Sequence, residues 1–366
     1  MSSAGKLFLR IVWNGSEIKS VEVKSTRPQA YRILNGKMPD EVVQWVPMLF
    51  SVCGKAQQAA AIAALSVAQG QVSPQGLLER GVTCEAMQEH LWRLLLDWPK
   101  LLGLPPYQQE FVGWHAALNL IASGHGNAEP LLSELRRMLL GVDVAEEEIF
   151  ASYTSFNAWK NRGKGLLAPI LSALDVQESK LSFVTESARC NLQPDWCTAD
   201  VVGIFADRLS HEFAARPQCE GISLETGELA HRQAIPLLQE VLRNHPHRLL
   251  ARVIARLLDL LDSADALTHE NSTRRIMSGS VSVGAGLSVV RTARGMLMHS
   301  VKIESGRIKD YVIVAPTEWN FHPQGTLVSG LTGLKENDAE RLMQTVNNFV
   351  LSLDPCVEYE IGIAHA

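Results

Sequence analysis

TARGMLMHSVKIESGRIKDYVIVAPTEWN, residues Thr292–Asn320, is the stretch whose reading decides the fold. Apolar and polar residues alternate from Met296 to Pro316, which is the period of a strand with two different faces. The alternation is interrupted at Ser305-Gly306, so the spacing predicts a hairpin. Just upstream, GAGLSVV (Gly284–Val290) has too few glycines for a phosphate loop and no helix after it, so it reads as a tight turn leading into the hairpin. Downstream, a helix is predicted over 336–353. Ala339, Leu342, Met343, Val346, Phe349, Val350 and Leu353 fall on one of its faces. It stops at Asp354-Pro355, because the residue before a proline is pushed out of the helical region. Cys356 is thereby fixed just past a buried helix, at the start of an acidic, aromatic tail.

The other end of the chain has a matching plan. Residues 6–24 predict a second hairpin, with Asn14-Gly15 as its turn. After a connection over 25–39 the pattern becomes helical from Asp40. SVCGKAQQAAAIAALSVAQG (51–70) is an alanine-rich helix with Cys53 at its mouth and Gly70 at its end. Between the two ends, 75–275 is mostly helical. CEAMQEHLWRLLLDWPKLLG (84–103) has helical spacing and is expected to break at Pro99 and at Pro105-Pro106. Further helices are predicted over 127–142, 165–175, 199–214, 229–243 and 248–262. With no repeat and no linker, residues 1–366 read as a single domain built from 1–70, 75–275 and 280–366.

Composition excludes several functions. The 366 residues are 46% hydrophobic and 20% charged, with a net charge of -5. Without a basic stripe, nucleic-acid binding has no electrostatic support. The start of the chain has no signal-peptide pattern, and no apolar run reaches membrane-spanning length. A soluble cytoplasmic protein is expected. The six cysteines are scattered without Cys-x-x-Cys spacing, which argues against a disulfide framework. Cys84 and Cys219 read as small buried hydrophobes. Cys190 and Cys197 flank a Pro-Asp-Trp turn but lack a second ligand pair for zinc. His245 and His247 read as a solvated loop, and His299 as structural. SHEF (Ser210–Phe213) has no second histidine and is no zincin site.

Five fragments, in order, carry a resemblance. DPCVEYEIGIAHA (354–366) resembles the C-terminal Asp-Pro-Cys-x-x-Cys motif of the nickel-iron hydrogenase large subunit. SVCGKA (51–56) resembles its N-terminal Arg-x-Cys-Gly-x-Cys motif. Thr292–Asn320 is similar to its Pro-Arg-Gly-x-Leu-x-His hairpin followed by Pro-Thr-x-Trp-Asn. YRILNGKMPDEVVQWVPMLF (31–50) and GKLFLRI (5–11) also fit. The resemblance covers about the first 70 and the last 80 residues. It implies an α+β, large-subunit-like fold, mostly helical, whose terminal β-hairpins come together around a central helix bundle.

In that family four cysteines hold nickel and an iron carrying cyanide and carbon monoxide, and thiolates suit such soft metals. This sequence keeps Cys53 and Cys356. Ala56 and Tyr359 replace the two bridging cysteines, Ala60 replaces a histidine, and Ala4 replaces a glutamate. The resemblance therefore implies a non-catalytic relative. Arg294, Pro316 and Thr317 match the pocket that receives the cyanide ligands. Their bland alternatives are a surface salt bridge for Arg294 and a loop cap for Thr317. His365 stands three places beyond the family's terminal histidine, either a further metal ligand or a solvated tail residue. The chain stops at Ala366 without the tail that enzyme precursors lose, so a different maturation route is expected.

This combination, with EHLWRLLLDWP (89–99), resembles the HupK/HoxV-type hydrogenase accessory proteins. It implies an assembly scaffold that transiently holds iron with cyanide and carbon monoxide, and it leaves nickel open. The implied partners are the hydrogenase large subunit and HypC/HypD-type maturation proteins. A metal-free chaperone that mimics the large subunit is the alternative, and a divergent redox enzyme the third. A pure mimic needs neither thiol, so retention of Cys53, Cys356 and Arg294 favours the scaffold.

Overall fold

Strands β1 (Lys6–Trp13) and β2 (Ile18–Ser25) form the expected N-terminal hairpin, with Gly15 at φ +90° in its turn. β1 alternates, burying Leu7, Leu9, Ile11 and Trp13. A two-residue parallel pair, β3 (Asn191–Leu192) with β4 (Leu224–Glu225), interrupts the helical middle. The C-terminal hairpin is part of a larger antiparallel meander: β5 (Ile276–Ser282), β6 (Ala285–Thr292), β7 (Gly295–Glu304) and β8 (Arg307–Val314), in that order across the sheet. Ser305 and Gly306 both have positive φ, 51° and 74°, as a two-residue type I′ turn requires. This computed structural model describes residues 5–125, 128–141, 146–184, 190–194, 201–268 and 274–366. Ala4 and Cys197 lie outside them.

The expected tail is a strand. β9 (Glu358–His365) pairs in parallel with β1, in unbroken register from Lys6↔Glu358 to Trp13↔His365. β1 becomes the centre of a three-stranded sheet, β2-β1-β9, and the two ends of the sequence meet. Tyr359, Ile361 and Ile363 pack against the largest apolar cluster, which also takes Leu7 and Leu9 from β1 and Leu353 from the helix before β9.

Three helices bring the first half of the site into place. α1 (Pro39–Leu49) leads through a tight turn, Ser51–Cys53, into α2 (Gly54–Ala68). α2 lies on the meander. Its alanines at 59, 60, 61, 63 and 64 are buried and let helix and sheet approach closely. Ser288 Oγ on β6 donates to Ala60 O at 2.7 Å, and a Cβ on Gly286 would stand 2.2 Å from Ala64 O. The alanine run thus serves packing as well as helix propensity.

α3 (Gln75–Trp92) does not break at Pro99. The chain continues through a π-helical turn, Arg93–Asp97, into Trp98–Leu101. Pro99 has no N–H to give, and the wider turn absorbs the misfit. Leu95 O, freed of a helical partner there, accepts from Tyr107 N at 2.9 Å.

Elsewhere the helical expectation is right in kind and shifted in bounds. Helices run over Ala128–Leu140, Leu167–Glu178 and Ala339–Leu353. The one expected over 199–214 is two short helices, Val201–Phe205 and His211–Ala215, because Ser210 caps a new start by accepting from Phe213 N. The one over 229–243 splits into Glu228–Arg232 and Pro236–Asn244, where Pro236 sits at a first-turn position. The His245–His247 loop is not solvated as expected. His245 is buried and shares a 2.7 Å hydrogen bond with the Tyr153 hydroxyl, and His247 stacks on Phe183 at 4.4 Å.

The Leu249–Thr268 helix runs through the interior with a polar stripe: Arg252, Arg256, Asp259 and Ser263, all buried. Each is paired. Arg252 meets Glu225, Arg256 meets Asp354, and Asp259 meets Arg232, Arg275, Arg291 and His90, while Ser263 accepts from Arg275. Among the described residues no helix is long and apolar enough to cross a membrane.

Candidate functional site

The start of α2 and the end of the Ala339–Leu353 helix converge. Cys53 occupies the N-cap position of α2. Cys356 follows Asp354, which closes the second helix in the left-handed conformation (φ 54°, ψ 74°) with its N–H on Val350 O. Few residues but glycine take that conformation readily, and aspartate is one that does. Its carboxylate is gripped by Arg93 Nε at 2.8 Å, Arg256 Nη1 at 3.0 Å and Arg294 Nε at 3.2 Å. The Asp354 carboxyl is accordingly held far below its ordinary range by these guanidiniums, against its burial. The turn that presents Cys356 to a cavity is therefore anchored electrostatically. Ala56, by contrast, is buried in the first turn of α2 and brings only a methyl.

The two thiols lie within electrostatic reach of each other. Both are also within reach of two guanidiniums, Arg294 and Arg27. Burial pushes the Cys53 thiol up to about 12, and the neighbouring Cys356 and Glu85 add to this against Arg294 and Gln57. Gln57 Nε2 donates to Cys53 Sγ at 3.6 Å. Its Oε1 is 2.9 Å from His299 Nε2, and His299 Nδ1 is 2.8 Å from the Tyr311 hydroxyl. Burial pushes His299 down to about 3, so the ring is neutral. With the Gln57 amide nitrogen facing sulfur, its oxygen accepts from His299 Nε2–H. His299 Nδ1 then accepts from Tyr311. His299, read as structural from sequence, ends a relay that orients a donor onto Cys53.

On the other thiol, Thr317 Oγ1 is 3.0 Å from Cys356 Sγ and accepts from Cys356 N at 3.2 Å. Pro316 opens the short helix Pro316–Asn320 that carries Thr317, and both are buried. Thr317 thus caps the Cys356 backbone as well as touching its sulfur. Arg294 is no surface salt bridge. It is 4% exposed and bonded to Glu89 Oε2 at 2.5 Å as well as to Asp354. The bonds found among the described residues use its Nε and Nη2.

Cys53, Cys356, Arg294, Pro316 and Thr317 are thus brought together, and His365 is not. His365 is exposed at the far end of β9, opposite Trp13, with about 23 Å of extended strand between Glu358 and itself. The expectation of a further ligand there is corrected by the strand that pulls it away. Tyr359 lines the cavity that Cys356 faces, but its hydroxyl is committed, donating to Asn347 Oδ1 at 2.9 Å.

Sequence reasoning missed Arg27, Gln57, Glu85 and Glu89. Glu85 Oε1 and Oε2 accept from Lys55 N and Ala56 N at 2.7 and 2.8 Å, capping α2 from α3. Burial pushes this carboxyl up to about 7 against those two bonds. Glu85 and Glu89 are four apart on one face of α3, a signal present in CEAMQEHLW. Arg27, in an irregular connection, had none.

Two cavities reach this centre. One, about 920 Å³, is lined by Glu85, Glu89, Trp92, Arg294 and Cys356. The other, about 320 Å³, lies on the β2 side, with Arg27, Phe50 and Thr317 in its wall. A second group of potential ligands, His90, Glu228 and Asp259, is buried elsewhere. Arg232, Arg275 and Arg291 already neutralise Asp259, so a cation there would meet three guanidiniums.

The profile of the nickel-dependent hydrogenase family matches residues 240–359. The hydrogenase expression/formation protein HupK of Rhizobium leguminosarum bv. viciae is 30% identical over 99% of this chain and 98% of its own. HoxV of Cupriavidus necator, also a hydrogenase expression/formation protein, is 28% identical over 100% of this chain and 98% of its own. Among solved structures, the reduced nickel-iron-selenium hydrogenase of D. vulgaris Hildenborough superposes with a TM-score of 0.57, covering 94% of each chain at 16% identity. That likeness shows the fold.

Proposed function

The chain belongs to the family of hydrogenase expression/formation proteins that includes HupK and HoxV, and from that premise we propose that it works in hydrogenase formation as a non-catalytic scaffold. Its cargo is an iron carrying cyanide and carbon monoxide, held between Cys53 and Cys356 before transfer to the hydrogenase large subunit. The observation that carries the reading is Cys356 set on Thr317 and opening with Arg294 onto one cavity, with Cys53 within electrostatic reach of it.

The donor set suits the cargo. Thiolates are soft ligands for iron. Cyanide nitrogens are anionic acceptors that need donors once water is excluded. Arg294 supplies a charge-assisted donor, and the Thr317 hydroxyl a neutral one. Ala56 offers a methyl where the related enzymes have a bridging thiolate, and the Tyr359 phenol is turned to Asn347. Neither can bridge a second metal, so hydrogen turnover is not expected. The larger cavity leaves Cys356 approachable, as transfer to a partner requires.

The test is infrared spectroscopy and iron analysis of the protein purified anaerobically from cells making hydrogenase. Cyanide and carbonyl stretches, lost in Cys53→Ala and Cys356→Ala, are expected. A protein that restores hydrogenase formation yet shows neither band nor iron would favour the metal-free chaperone.

A further inference from the structure

We propose that the smaller cavity, on the β2 side of the thiol pair, is a binding site for a small organic anion bearing a phosphate or carboxylate group. Its volume, about 320 Å³, is that of a small-molecule site. Its charge is unusual for a chain of net charge -5. Lys24, Arg27 and Arg216 line it, with Glu318 as the one carboxylate. Glu318 is already engaged by Arg27 at 3.1 Å. Lys24 and Arg216 have no carboxylate partner among the described residues and stand exposed at the mouth, whereas Arg27 is largely buried over the Phe50 ring.

A second observation points the same way. Tyr31 lines the cavity and is 6% exposed, and its hydroxyl is buried without a hydrogen-bond partner. Such a group is normally satisfied. An anion at Arg27 would give this end of the cavity an acceptor, while apolar walls, Phe50 among them, hold the body of the molecule. The two exposed cations at the mouth attract the anion, and the inner one fixes it.

Calorimetric titration of the full chain tests this with two probes, inorganic pyrophosphate for the phosphate class and citrate for the carboxylate class. Saturable binding of at least one probe, at one site per chain, is expected. Arg216→Glu should weaken it by roughly tenfold or more, as loss of a charged contact implies. Arg137→Glu, the same charge change on an exposed helix away from the cavity, should leave it intact. Whichever probe binds identifies the class. No saturable binding of either probe, or equal weakening by the two variants, overturns the proposal. Arg216 touches neither thiol, so iron retention in Arg216→Glu stays at the wild-type level whether or not the anion site is real.

Discussion

Burial, with Cys356 and Glu85 beside it, pushes the Cys53 thiol up to about 12, so at neutral pH it is expected to keep its proton and react slowly with alkylating agents. Gln57 opposes this by donating to the sulfur, and His299 holds Gln57 in that pose. Gln57→Leu should slow alkylation of Cys53 by iodoacetamide at pH 9, and His299→Leu should do so through Gln57. Mass spectrometry of the labelled peptide measures both, and rates equal to wild type would remove the relay from the account. The sign for stability follows from the same shift. A thiol raised from 9.0 to about 12 contributes stability that is present below pH 9 and lost as the pH rises from 9 to 12. Arg294 and Thr317 differ in what their removal breaks. Arg294→Ala strands Glu89 and loosens Asp354, so it destabilises the fold along with any cargo site. Thr317→Val keeps shape and removes one hydroxyl, so it should lower iron retention while leaving the melting temperature within a few degrees of wild type. The two thiols and Thr317 were legible from sequence because each sits in a short motif. Arg27 was not, because nothing local to it announces Glu318, 291 residues away, and Gln57, although one helical turn from Cys53, shows nothing of its distant partner His299.

Among the elements, the contact of α2 with β6 is the least forgiving. Gly286→Ala would set a methyl 2.2 Å from Ala64 O, backbone that cannot rotate away. Overpacking of this kind typically costs about 1–3 kcal/mol, and the expected outcome is a lower urea midpoint with a displaced Cys53. Alkylation kinetics of Cys53 would register the displacement, and a variant as stable as wild type would show the contact to be looser than described. Both hairpins, α2 and the Ala339–Leu353 helix were readable from period and turn chemistry. The passage through Pro99 was not. Proline does remove the α-helical bond, but a π turn and the Tyr107 N–H make up for it at long range. β9 was missed because eight alternating residues after a Cys motif look like a tail until β1 is known to have a free edge.

At the scale of the whole molecule, buried carboxylates are clasped by arginines, Glu225, Asp259 and Asp354 among them. Removing one partner from such a cluster typically costs about 3–5 kcal/mol, because the others stay buried and unpaired. Asp354→Ala is expected in that range by chemical denaturation, and a loss near zero would mean that water reaches the arginines. Glu225 is held down to about 2, and Asp259 and Asp354 are also held below their ordinary values. Their contribution is present above the ordinary carboxylate range and is lost as the pH falls through it. Melting temperature should therefore drop steeply on acidification below about pH 4, and less steeply in Asp354→Asn. The parallel pairing of β1 with β9 has a consequence for biosynthesis. The first strand made is completed by β9, and Cys53 waits for Cys356 across about 300 residues. At ordinary elongation rates that interval is roughly 15–60 s. A nascent chain on the ribosome therefore exposes Cys53 well before Cys356 exists, so on the proposed scaffold reading the thiol pair can take its cargo only after synthesis is complete.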